Sequence, residues 1–147
     1  MEHHQITLLC TLHAFGKRQM GLTKSEVMDK RDYAEFSDKY GVDLRKISVD
    51  WEDNGAVSTD NKFLRDINKS KMQCMELQEY YNTSNLNYAW EELLWAFRSL
   101  EDYKQTYSKF DFTDMLTQYV AFGPTPALDV VIVDEAQDLT KLQWNMC

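Results

Sequence analysis

Two adjacent carboxylates, Asp134 and Glu135, follow four consecutive β-branched residues, Val130-Val131-Ile132-Val133. A run of that kind reads as a strand buried on both faces. Open α/β sheets place their ligands at the carboxyl ends of such strands. One carboxylate there can hold Mg²⁺ on a nucleotide, and its neighbour can polarise an attacking water. Gln137 and Asp138 follow at once. The plainer alternative is an acidic loop after a core strand. The bare pattern does not separate the two.

Hydrolysis of a nucleotide also needs a cradle for the phosphates. Gly16-Lys17 invites that reading, but G-x-x-x-x-G-K-[ST] requires glycine at 11 and a hydroxyl at 18. The chain has Thr11 and Arg18, and only five glycines in all. No phosphate loop is recognisable. Thr11, His13 and Phe15 fall where a strand is expected to give way to a helix. A hydroxyl, an imidazole and a ring there could bind a phosphate and stack a base. On local grounds the commoner reading is structural, with His13 a cap or surface residue and Phe15 part of the core. Lys17 and Arg18 add local positive charge. Asp111 and Asp114 suit the first turn of a helix, where acids interact favourably with the positive end of the helix dipole. Thr140 and Gln143 match a capping box.

The 147 residues suit one domain or a two-lobed piece of a larger one. A net charge of −8 argues against a module that grips nucleic acid mainly by charge, so any such contact is local. Cys10, Cys74 and Cys147 form no CxxC pair and no zinc spacing. That pattern, with no signal-peptide start, points to a reduced cytoplasmic setting. No apolar run approaches ~20 residues, so no membrane span is expected.

The elements that would position these residues follow from spacing. Gln5–Thr11 reads as a strand and Leu12–Met20 as a helix closed by Gly21. One or two amphipathic helices cover 26–39 and end at Gly41. Asp43–Ser58 reads as a small hairpin turning at Asn54-Gly55, or as a loop. Asp60–Tyr81 and Tyr88–Tyr107 read as two long helices packed together. Phe112–Phe122 forms another, ended before Pro124 and Pro126. Leu128–Val133 is the expected buried strand, and a last helix starts at Thr140.

Several segments resemble the superfamily 1 UvrD/Rep-type DNA helicases. Thr11-Leu12-His13-Ala14-Phe15 resembles their Thr-x-His-x-aromatic motif Ib. Asp111-Phe112-Thr113-Asp114-Met115-Leu116 resembles the segment before their Walker B strand. Val131-Ile132-Val133-Asp134-Glu135-Ala136-Gln137-Asp138-Leu139, followed by Gln143-Trp144, resembles their motif II. The wording is closest to phage and archaeal members. The resemblance implies an α/β fold: part of a RecA-like P-loop NTPase parallel sheet with a mostly helical insertion. Residues 1–20 and 109–147 would belong to domain 1A, and 21–108 to insertion 1B. The implied activity is ATP-dependent 3′→5′ translocation on single-stranded DNA. Asp134 would hold Mg²⁺ through water, Glu135 would activate the hydrolytic water, and Gln137 would lie on the nucleotide edge. Thr11 and His13 would face DNA, with Lys17 and Arg18 beside them. The family's Walker A loop, arginine fingers and second RecA-like domain have no counterpart here. The chain is therefore expected to be an internal part of a helicase that needs the remainder to bind ATP and Mg²⁺ tightly. A non-catalytic DNA- or partner-binding module of helicase origin is the alternative.

Overall fold

The computed structural model describes residues 9–49 and 57–147. Helix α1 (Leu12–Gln19) starts where the Thr11 hydroxyl accepts from the Ala14 amide at 3.2 Å. Gly21 follows at φ +66°, a left-handed turn that a β-carbon would strain. After a 3₁₀ turn (Lys24–Glu26) comes α2 (Lys30–Tyr40). Asp29 caps the Arg31 and Asp32 amides at 2.8 and 3.1 Å, and Asp32 returns the bond to the Asp29 amide at 2.8 Å. Gly41, at φ +71°, ends the helix as expected.

Strands β1 (Ile47–Val49) and β2 (Val57–Thr59) pair antiparallel, with Ile47 opposite Thr59. This agrees with the hairpin reading; the expected Asn54-Gly55 turn lies outside the described residues. Helix α3 (Lys62–Met72) is capped by Asn61, whose side chain accepts from the Leu64 amide at 3.0 Å. The expected long helix over 60–81 is broken. Cys74 adopts φ +52°, and the chain restarts as α4 (Leu77–Thr83). Helices α5 (Trp90–Tyr107), α6 (Phe112–Phe122) and α7 (Lys141–Trp144) complete the order, with a 3₁₀ turn at Ala136–Asp138.

The core is helical. Tyr33 and Phe36 of α2, Leu64 of α3, and Ala96, Leu100 and Tyr103 of α5 pack as one buried cluster. Val27, Phe112 and Met115 form a second, and Ile67, Tyr88 and Leu93 a third. Helix α1 lies on α6, so residues from the two ends of the chain meet. Phe15 packs edge-on to Tyr119 with ring centroids 5.1 Å apart.

The expected α/β fold is overturned. Among the described residues there is no parallel sheet; the one parallel pairing is an isolated bridge between Val27 and Phe110. Leu128–Val133 is not a buried strand. Val130, Val131 and Ile132 are 74, 55 and 91% exposed, and residues 125–133 form no backbone hydrogen bond to any described segment. The physical reason is the requirement for neighbours. A two-faced strand must be flanked by other strands and covered by a layer on each face. The described residues supply neither, so the β-branched run stays exposed and unpaired. The other expected sheet element, Gln5–Thr11, falls mostly outside the described residues; its described end, residues 9–11, is not a strand. No described helix is long and apolar enough to cross a membrane.

Candidate functional site

Asp134 and Glu135 occupy an exposed turn between the unpaired run and the 3₁₀ turn. Glu135 is left-handed, at φ +50° and ψ +38°. A non-glycine residue there carries a cost of roughly 1–2 kcal/mol. The turn is held locally. The Glu135 amide donates to Asp134 Oδ1 at 3.0 Å, and the Asp138 amide donates to the Glu135 carbonyl at 2.9 Å. The Gln137 side-chain amide donates to Glu135 Oε2. Asp134, Glu135 and Gln137 are thus brought together, with all three side chains facing solvent.

A Mg²⁺ bound with a nucleotide takes one or two carboxylates and fills its octahedron with waters and phosphate oxygens. Asp134 keeps a second oxygen that fits such a role, and Glu135 stands next to it. No group of three or more metal-ligating side chains is assembled among the described residues, so a cage made by this chain alone is not present there. When bound, Mg²⁺ would neutralise phosphate charge. The chain's own contribution is two carboxylates on a shaped turn.

Downstream, the capping box is present as expected. The Thr140 amide donates to the Gln143 side-chain oxygen at 2.8 Å, and the Gln143 amide donates to the Thr140 hydroxyl at 3.3 Å. It anchors α7, whose Leu142 is buried. The acid turn therefore hangs between an exposed run and a fixed helix start.

The four residues expected to face DNA separate. Thr11 spends its hydroxyl on the α1 cap. His13 is buried and lies edge-on to Phe112, with ring centroids 5.8 Å apart. Burial pushes its pKa from 6.5 down to about 4, so the imidazole is neutral at pH 7. Lys17 is half-buried, and Arg18 is exposed in the last turn of α1. Cations there also complement the helix dipole.

Sequence reasoning missed a cluster of five charged side chains. Lys104 Nζ lies 2.7 Å from Asp114, 2.7 Å from Glu101 and 3.1 Å from Asp111. Lys71 Nζ lies 2.9 Å from Asp114 and 3.2 Å from Glu101. Asp111 also N-caps α6, accepting from the Asp114 amide at 2.7 Å. Helices α3, α5 and α6 are thereby joined through charge. Burial would raise the Asp111 carboxyl; the Lys104 and Lys71 ammonium groups override it and hold it well below the usual range. Burial would lower Lys104; Asp111 and Asp114 override that and hold it charged. Burial and the Asp111 charge push Asp114 up. The acids at 111 and 114 were visible as helix-start residues. Their lysine partners, 43 and 10 positions from Asp114, carried no local signal.

Comparison with known proteins gives no match to a family model, a curated protein or a solved structure.

Proposed function

We propose that this chain supplies the acid pair and a helical body to an ATP-dependent 3′→5′ DNA translocase of the UvrD/Rep type, and that it hydrolyses no ATP by itself. The observation carrying the proposal is the turn at 134–138. Its two carboxylates and its amide are gathered at the end of an unpaired β-branched run and left open to solvent. That arrangement suits groups that act on a nucleotide gripped elsewhere. The motif II wording supports the same reading. In this scheme Asp134 holds Mg²⁺ through water, Glu135 takes up the proton of the hydrolytic water, and Gln137 fixes the Glu135 carboxylate. The lysine that grips the phosphates comes from the remainder of the helicase, and single-stranded DNA is the track. The setting is the cytoplasm, that of the host if the gene is a phage's.

A second reading is a non-catalytic binding module of helicase origin. The closed helical body, with its own buried clusters, favours it. Steady-state hydrolysis of Mg-ATP by the purified chain tests the proposal. No turnover above background is expected. Turnover that disappears in Asp134→Asn would overturn the claim that the chain depends on a partner for phosphate.

A further inference from the structure

Helix α3 concentrates positive charge in an acidic protein. It carries Lys62, Arg65, Lys69 and Lys71 against a single acid, Asp66. At 100° per residue, Lys62, Arg65 and Lys69 fall within an arc of about 60°. All three are exposed. Lys71 points the opposite way, into the buried ion cluster. Asp66 is buried, taking hydrogen bonds from the Tyr88 hydroxyl at 2.6 Å and the Tyr80 hydroxyl at 3.3 Å. Its nearest base is Arg65, at 3.5 Å. The exposed face of α3 therefore shows three cations and no acid of its own. Rings stand at one end: Lys62 Nζ lies 4.9 Å from the Phe63 centroid and 4.8 Å from that of Tyr88. Asp43 and Asp60 share a shallow recess there with Lys46 and Lys62.

We propose that this strip of α3 binds the phosphate backbone of a single-stranded nucleic acid. Seven residues of helix span roughly 10 Å. Three cations along that length can each pair with one backbone phosphate. The overall charge of −8 does not prevent this, because exposed charges more than about 10 Å away are screened at 0.1 M salt. The strip lies on a different helix from Lys17 and Arg18. It rests on the translocase reading only for the choice of nucleic acid as the polyanion.

The test is fluorescence anisotropy of a labelled oligothymidylate titrated with the full chain, with Lys62→Gln/Arg65→Gln/Lys69→Gln and with Lys17→Gln/Arg18→Gln. Far-UV circular dichroism checks that each variant folds. Three neutralised phosphates give a log–log salt slope near −2, or a roughly 20-fold loss of affinity from 50 to 200 mM salt. The α3 variant is expected to lose that slope, and the α1 variant to keep most of it. If the α3 variant binds like the parent chain, the strip is wrong while the DNA partner stands. If the parent chain binds no oligonucleotide, both the strip and the DNA partner fail. If phosphatidylserine vesicles bind the chain and the oligonucleotide does not, the strip belongs to a lipid surface and the proposal is overturned.

Discussion

Replacing Lys104 by methionine removes the central cation of the ion cluster while keeping most of the side chain's volume. Lys104 is 4% exposed and Asp111 3%, so water cannot take over the lost partner. Asp111 is left as a buried carboxylate with only Lys71 in the cluster to balance it and Asp114. Breaking one partner of a buried pair costs about 3–5 kcal/mol. For a domain of this size that lowers Tm by roughly 10 °C. Adding Asp111→Asn and Asp114→Asn should recover part of the loss, since asparagine at 111 still caps α6. The assay is urea unfolding followed by near- and far-UV circular dichroism. The pH dependence adds a check. Asp111 has a folded pKa below its ordinary 3.8, so its contribution is complete above that value and is lost as pH falls through the lower folded one. Lys104 has a folded pKa above 10.5, so its contribution is complete below that value and is lost as pH rises through the higher one. Lys104→Met within about 1 kcal/mol of the parent would refute the cluster as a stabilising junction.

Two further outcomes follow from burial. His13 titrates at about 4 when folded and 6.5 when unfolded, so its contribution is complete above pH 6.5 and shrinks as pH falls toward 4. The loss is roughly 3 kcal/mol, and a His13→Phe variant that keeps the same acid slope would contradict it. Ile132→Ser should change stability by less than about 0.5 kcal/mol, because the side chain is 91% exposed. A loss of several kcal/mol in the same melt would instead mean a buried strand.

Helix starts and stops were legible because their signals are local. Asp111 and Thr140 cap α6 and α7 where helix starts were expected, and Phe112–Phe122 has the bounds its pattern predicts, whereas Asp29 and Asn61 cap α2 and α3 inside stretches expected to be helical already. The break after Met72 was not legible, since no glycine or proline marks it and Cys74 takes the left-handed turn. The sheet was the larger miss. Four β-branched residues reveal what a segment can do beside other strands, and nothing about whether those strands are present. At the candidate site, proximity of Asp134, Glu135 and Gln137 was legible from adjacency. The inward turn of His13 was not, because it depends on how α1 meets Phe112 across a hundred residues.

Glu135, held left-handed and open to solvent on its turn, is the group on which the proposed hydrolysis depends. The most direct measurement is single-turnover Mg-ATP hydrolysis, alongside nucleotide binding, in the proposed translocase assembled with this chain carrying Glu135→Gln. Nucleotide should bind with little change and hydrolysis should nearly vanish. Hydrolysis at the unsubstituted rate would contradict the account.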